Sequence, residues 1–263
     1  MDHAPPSHPV RAPSEAARRQ PLCTRSGIDV VTIIVGLNLL VFAYMITLGD
    51  DALLNFIKDG AISVDGLRDG KWWQPLTHLF LHGGDLGLGM RIIHLSMNLL
   101  VIYMAGKELM LDLSTRHWLG IYLGSGILGG IFQILVTPGS PLLGASGAAF
   151  GLIAALGSIH ANERLDVWIL GYQTRMYGGS FSQALLYSSG LLGIIALASS
   201  FSIPLISNMG HFAHFGGALG GLLYVKLLGL TPKTPSKATL EEERALNDAR
   251  LEAKRASSQQ MET

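Results

Sequence analysis

Long apolar stretches alternate with shorter polar ones along most of this chain. A helix needs about 20 predominantly apolar residues to cross the hydrocarbon core of a bilayer. Six segments approach or reach that length, at about residues 28–48, 91–111, 117–136, 142–160, 181–201 and 209–230. Because the bilayer core offers the backbone no water to bond, such spanning segments are helical. The pattern predicts an all-α, polytopic membrane protein with a six-transmembrane-helix bundle over residues 28–230.

Three polar regions lie outside these segments. Residues 1–27 form a predicted flexible cytoplasmic tail, and residues 231–263 a charged cytoplasmic one. The first two apolar segments are separated by a long loop, about residues 49–90, which contains Trp72, Trp73, His78 and His82. Paired Trp residues are typical of the membrane–water interface. We expect this loop to be partly embedded in the membrane, and the loop and the fifth helix are the candidate gates.

The composition favours a membrane protein and excludes few functions. Of the 263 residues 49% are hydrophobic and 14% charged, and the net charge is zero, so charge gives no reason to expect nucleic acid as a partner. Cys23 is the only cysteine, which rules out a disulfide within one chain. Residues 1–26 lack the apolar centre of a secretory signal. We expect an integral protein of a prokaryotic plasma membrane, with an organelle membrane as the alternative.

The distribution of basic residues predicts the orientation. Cytoplasmic segments carry an excess of Lys and Arg. Of 19 such residues, four (Lys58, Arg68, Lys71 and Arg91) lie on one side of the predicted membrane and the other 15 on the opposite side, mostly in the tails. This distribution predicts that both termini are cytoplasmic.

Four polar residues share one predicted depth on three helices. His94 and Asn98 lie in the first two turns of the second segment, Ser146 in those of the fourth and His214 in those of the sixth. At 1.5 Å per residue, all four lie about 5–10 Å below one surface. Ionisable groups inside a bilayer indicate function by default. A Ser with a neighbouring neutral His is a nucleophile with its base, and donors at a helix N-terminus stabilise an oxyanion.

Glycine spacing predicts which helices touch. Small residues four apart allow helix backbones to approach closely in lipid. Such pairs occur in the fourth segment, at Gly147 and Gly151, and twice in the sixth, at 216/220 and 217/221. We expect these two helices to be in contact, which would bring Ser146 and His214 together.

These motifs together resemble the rhomboid family of intramembrane serine proteases. The resemblance covers about residues 72–224 and rests on His94-x-x-x-Asn98, Gly144-Ala145-Ser146-Gly147, Ala213-His214-x-x-Gly217 and the loop pattern Trp73-x-x-x-Thr77-His78-x-x-x-His82. It implies a rhomboid-like fold that cleaves transmembrane segments of other proteins in the lipid bilayer, without metal or other cofactor.

The resemblance also implies residue roles. Ser146 is the expected nucleophile and His214 the general base, with an oxyanion hole formed by His94, Asn98 and the Ser146 amide. The remaining expected pocket residues are Gly144, Gly147, Phe150 and His211. Phe150 replaces a ring, often Tyr, that stacks on the catalytic His in the family. Gln74 stands where the family commonly has Arg, which leaves the anchoring of the loop open.

Other interpretations of the same residues stay open at this point. A Ser in a membrane helix often only bonds back to a carbonyl one turn earlier. His78 and His82 suit either zinc or loop hydrogen bonds, and His211 and His214 suit a metal or proton transporter. The alternative within the family is a non-catalytic rhomboid-like protein that binds membrane helices.

Overall fold

The computed structural model describes residues 29–83, 87–162, 164–169, 172–198, 210–232 and Asp248. The predicted tail at residues 1–27 and nearly all of the tail at 231–263 lie outside the described residues. All the helices and strands below belong to one compact unit that spans residues 21–232.

A helix lies at each of the six predicted apolar segments. The helices, in chain order, are α1 (Val30–Met45), α2 (Asp50–Gly60), α3 (Val64–Arg68), α4 (Gln74–Thr77), α5 (Gly87–Asp112), α6 (Thr115–Val136), α7 (Ser146–Ile159), α8 (Gly178–Ala198) and α9 (His211–Leu227), with a 3-10 turn at His78–Phe80 after α4. By length and composition, α5 and α6 are fit to cross a membrane, and α1 and α7 are apolar but shorter.

The described part of the chain is helical as predicted, except for a short hairpin between α7 and α8 that was not predicted. Strands β1 (Arg164–Ile169) and β2 (Tyr172–Tyr177) pair antiparallel there, with Asp166 opposite Arg175. The strands are rich in β-branched and aromatic residues, which favour extended structure. Each strand has only six residues. So short a segment between two apolar helices is easily interpreted as a polar connection.

Close backbone contacts join α7 to α9. A Cβ atom added at Gly217 would overlap the carbonyl oxygen of Gly147, and one at Gly221 would overlap that of Gly151. α6 also packs against α9: a Cβ atom added at Gly129 would lie 2.5 Å from the Ala213 oxygen. The predicted contact between the fourth and sixth helices is therefore confirmed, and glycine is what permits it.

Larger side chains fill the space among α1, α5, α6 and α7. Trp118 and Tyr122 are fully buried and stack in parallel, with ring centroids 5.4 Å apart. The Asp29 side chain caps α1 by accepting from the Thr32 N–H at 2.9 Å, and it also pairs with Lys107 of α5. This packing fixes α1 against the helix that carries His94 and Asn98.

The first loop is anchored by Gln74, the residue that stands in place of the family's Arg. Its buried side-chain amide donates to the Lys58 and Asp59 oxygens at 3.2 and 3.3 Å and accepts from the Ser63 N–H at 3.2 Å. Trp73 adds a bond from its ring N–H to the Asp59 oxygen at 2.9 Å. The amide oxygen also accepts from the Ser63 hydroxyl at 3.5 Å, so a neutral amide anchors the loop through four hydrogen bonds.

One short backbone bridge connects this loop to the segment ahead of α7. Ile62 and Leu142 exchange two hydrogen bonds, each 2.9 Å long. The loop and the approach to Ser146 therefore form one continuous structure.

Candidate active site

Ser146 is the first residue of α7 and follows a sharp turn. Gly144 has a φ of +121°, a conformation that L side chains rarely adopt, so the turn requires glycine. The Gly144 N–H donates to the His78 oxygen at 2.8 Å. No side chain caps the first N–H groups of α7, and Ser146, at the start of the helix, is 9% exposed. Such a helix end suits a developing negative charge.

His94 and Asn98 face this turn from α5. A Cβ atom placed on Gly144 would lie 3.0 Å from the His94 Cε1 atom, 3.2 Å from its Nε2 and 4.0 Å from Asn98 Nδ2. Asn98 is buried, and its Nδ2 has no hydrogen-bond partner in the described part of the chain. An unpaired buried amide donor is costly, and here it lies near the N-terminus of the helix that begins with Ser146. The structure thus brings together three of the predicted residues, Ser146, His94 and Asn98.

His214 is held on the other side by α9 and by an aromatic ring from α7. The Phe150 and His214 rings stack with centroids 4.2 Å apart and an interplanar angle of 7°. The neighbours of Ser146 and His214 are also in contact, since an added Cβ at Gly147 would lie 3.2 Å from the Ala213 oxygen. Among the described residues no hydrogen bond joins the Ser146 hydroxyl to the His214 ring. Such bonds are often long in unliganded enzymes and shorten with substrate.

His211 lies one turn before His214, and its ring approaches the His214 ring edge-on with centroids 6.2 Å apart. It is buried at the start of α9. The geometry gives it contact with the candidate base, and its role remains a prediction.

Sequence reasoning missed Gln133, a buried residue of α6. Its side-chain oxygen accepts from the Ala213 N–H at 3.1 Å, and its Nε2 donates to the Thr137 hydroxyl at 2.8 Å. Gln133 therefore fixes the first turn of α9 immediately before His214. The signal was present in the sequence, since Gln133 is a strongly polar side chain inside an apolar segment.

The two loop histidines lie between α4 and α5 and make separate contacts. The Nδ1 atom of His78 lies 3.0 Å from the Gln74 oxygen, and the Nε2 of His82 lies 3.5 Å from the Ala145 amide nitrogen. Burial lowers the pKa of His78 to about 4, and burial together with the nearby His94 lowers the pKa of His82 to about 3. Both rings are thus neutral at physiological pH. Among the described residues no group of three or more His, Cys, Asp or Glu side chains is placed to hold a metal.

Comparison with known proteins agrees with this geometry. The family model of the Rhomboid domain matches residues 69–231, which is more than half of the chain. The chain belongs to the rhomboid family. It is therefore a membrane protein, and the resemblance predicted from its motifs is confirmed.

Several curated rhomboid proteins are similar to this one. The chain is 29% identical to the rhomboid protease GluP of Bacillus subtilis over 199 residues, which cover 75% of this chain and 34% of GluP. It is 33% identical to the mitochondrial RHOMBOID-like protein 6 of Arabidopsis thaliana over 62% of this chain and 45% of that protein. Rhomboid-like protease 3 of Toxoplasma gondii is 28% identical over 63% and 55%. The chain spans less than two thirds of the length of each.

Proposed function

We propose that this protein is an intramembrane serine endopeptidase that hydrolyses peptide bonds in or near transmembrane segments of other proteins. The observation that carries the proposal is the surroundings of Ser146: a helix N-terminus without a side-chain cap and the unpaired Asn98 amide on one side, and His214 stacked on Phe150 on the other. The relatives named as proteases support the same conclusion.

In the proposed mechanism His214 removes the proton from the Ser146 hydroxyl as the oxygen attacks the substrate carbonyl. The resulting oxyanion accepts hydrogen bonds from the Ser146 N–H, from His94 and from Asn98. His214 then gives its proton to the leaving amine, which departs and leaves an acyl ester on Ser146. Water, activated by the same imidazole, hydrolyses the ester and restores the hydroxyl. Phe150 holds the imidazole plane throughout.

The proposal includes a membrane arrangement. We infer that α1 and α5–α9 all cross the bilayer, with both termini cytoplasmic and Ser146 near the opposite surface. A substrate helix hides its carbonyls in internal hydrogen bonds. Good substrates therefore carry Gly, Pro or other helix-weakening residues near that surface, and a rigid poly-Leu helix is cut more slowly.

The deciding experiment compares wild type, Ser146→Ala and His214→Ala on a generic transmembrane substrate in liposomes. Each protein is also treated with a fluorophosphonate probe and, separately, with a chelator. We expect cleavage and labelling in wild type only, unaffected by the chelator. Cleavage by Ser146→Ala would refute the dyad, and inhibition by the chelator would favour a function in which the histidines bind a metal. Absence of both cleavage and labelling in wild type would favour a non-catalytic helix-binding protein.

Asn98→Ala tests the oxyanion hole separately. Loss of one such donor typically lowers the rate about 10²–10³-fold, and we expect that loss in kcat with a folded protein. Because Asn98 Nδ2 has no partner to lose among the described residues, the thermal stability of this variant should not fall. A variant that keeps full kcat would exclude Asn98 from the oxyanion hole.

A further inference from the structure

His82 contacts the residue before Ser146 and the ring of His94, one of the predicted oxyanion donors. Its side chain is fully buried, and its Nε2 accepts from the Ala145 N–H at 3.5 Å. The same ring meets the His94 ring edge-on, with centroids 5.4 Å apart and an interplanar angle of 63°. One imidazole from the loop therefore touches the peptide before Ser146 and a predicted oxyanion donor.

The Ala145 contact determines the tautomer. An Nε2 atom that accepts a hydrogen bond carries no proton, so the neutral ring has its proton on Nδ1. A protonated ring would turn a second N–H towards the Ala145 N–H and repel it. Burial in apolar surroundings keeps the ring neutral. The contact is therefore available across the ordinary pH range.

The two amides before Ser146 are both turned towards the loop. The Gly144 N–H is held by the backbone oxygen of His78, and the Ala145 N–H by the ring of His82. With these two donors engaged, the next N–H in the chain, that of Ser146, begins α7 without a side-chain cap. The direction of the Ser146 N–H thus depends on how firmly the preceding peptide is held.

We propose that His82 is a positioning residue that fixes the orientation of the Ser146 amide and of the His94 ring relative to each other. It does not touch substrate and acts through Ala145 and His94. The inference rests on the proposed serine protease function. Displacement of a catalytic group by about 1 Å can cost about 10²-fold in rate, and a loosened oxyanion hole affects the chemical step and not substrate binding.

The test uses side chains that place an acceptor at different positions. The Gln amide reaches the position of Nε2, the Asn amide reaches only that of Nδ1, and Leu offers no acceptor. We expect His82→Leu and His82→Asn to lower kcat and the rate of fluorophosphonate labelling about 10–100-fold with little change in KM, and His82→Gln to recover most of both rates.

His78→Leu is the matched control. His78 is an equally buried imidazole four residues earlier, but its ring bonds to the Gln74 oxygen and its contact with Gly144 is made by its backbone. We expect this variant to lose thermal stability and to keep most of its kcat per folded molecule.

Three results would overturn the proposal. The first is a folded His82→Leu variant that is labelled at the wild-type rate. The second is equal rates for His82→Gln and His82→Asn, and this comparison can be made even if the Leu variant does not fold. The third is a kcat loss in His78→Leu as large as that in His82→Leu, which would mean general support by the loop. Failure of the protease function itself looks different, because wild type would then neither cleave nor be labelled.

Discussion

α8 and α9 both pack against α7, but they do so in opposite ways. α9 approaches along its length, with the Gly217 and Gly221 backbones against the carbonyl groups of Gly147 and Gly151. α8 is held tightly near its start, where the buried Ser182 hydroxyl donates to the Ala154 oxygen at 3.0 Å. Further along, α8 exposes large side chains, including Tyr187, Leu191 and Ile194.

The two helices therefore differ in how much of their surface is fixed by close contact with the rest of the protein. The proposed base and nucleophile lie on the pair of helices that cannot move apart without losing many backbone contacts. α8 lies beside them and exposes more of its surface, although its middle also packs: Ser189 is buried and a Cβ added at Gly190 would lie 3.0 Å from the Phe215 ring of α9. The fifth helix was a candidate gate on sequence grounds, and that role remains a prediction.

The largest expected effect comes from adding one methyl group to the α7–α9 contact. Gly217→Ala places a Cβ against the Gly147 oxygen, a backbone atom that cannot rotate away. We expect a loss of about 3 kcal/mol or more in unfolding free energy and no cleavage. Gly124→Ala is the control, since its Cβ would meet nothing within 4 Å, and it should change stability by at most about 1 kcal/mol. Thermal denaturation in detergent measures both, and equal behaviour would refute the special status of this contact.

Acid should destabilise the loop that contains His78. It should leave the glycine contact between α7 and α9 unchanged, because that contact contains no ionisable group. The pKa of His78 falls from 6.5 to about 4 on folding because of burial, so the unfolded chain binds the proton more readily. Stability is full above about pH 6.5 and is lost as the pH falls towards 4, on the order of 3 kcal/mol from this residue. Denaturation at several pH values should show a shallower slope for His78→Leu. An unchanged slope would mean that His78 is not buried in neutral form.

A moderate effect is expected where α7 and α9 meet through side chains. Phe150→Ala removes the ring that stacks on His214, and such pairs are worth about 0.5–1.5 kcal/mol. We expect kcat to fall about 3–10-fold, while Phe150→Tyr keeps the stacked ring and stays near the wild-type rate. Steady-state cleavage kinetics distinguish them. A Tyr variant as slow as the Ala variant would mean that a feature other than stacking is lost.

The smallest effects should lie on α8. Ser182→Ala removes hydrogen bonds to the Ala154 and Gly178 oxygens, at a cost of about 1 kcal/mol, with kcat unchanged. Leu191→Ala, at a side chain 58% exposed, should stay within about 0.5 kcal/mol of wild type. A loss of several kcal/mol at Leu191 would place α8 in the rigid part of the molecule and remove the contrast with α9.

The positions of the helices follow from the sequence because apolar length is a local property. The approach of His94 and Asn98 to the turn before Ser146 was also predictable, since polar residues at one depth on neighbouring helices are brought together once those helices pack. The β1–β2 hairpin was not, because two six-residue strands give a weak pattern between strong helical ones.

Long-range hydrogen bonds account for most of what the sequence could not reveal. Gln74 gains its anchoring role from backbone groups 11 to 16 residues away, and His82 meets Ala145 across 63 residues. No spacing rule connects such positions. Gln133 differs, because its polarity within α6 marked it and only its partner, the Ala213 N–H, required the structure.

The glycine contact between α7 and α9 has a genetic consequence. Every amino acid that a single-nucleotide change can substitute for glycine carries a Cβ atom. At Gly217 and Gly221 there is no room for that atom, so each missense change there inserts a wedge between the helices that bear the proposed dyad. At these two positions no missense change is neutral, whereas Leu191 can be replaced by other apolar residues. Random mutagenesis followed by selection for folded protein should therefore leave these two residues as glycine while the exposed face of α8 diversifies.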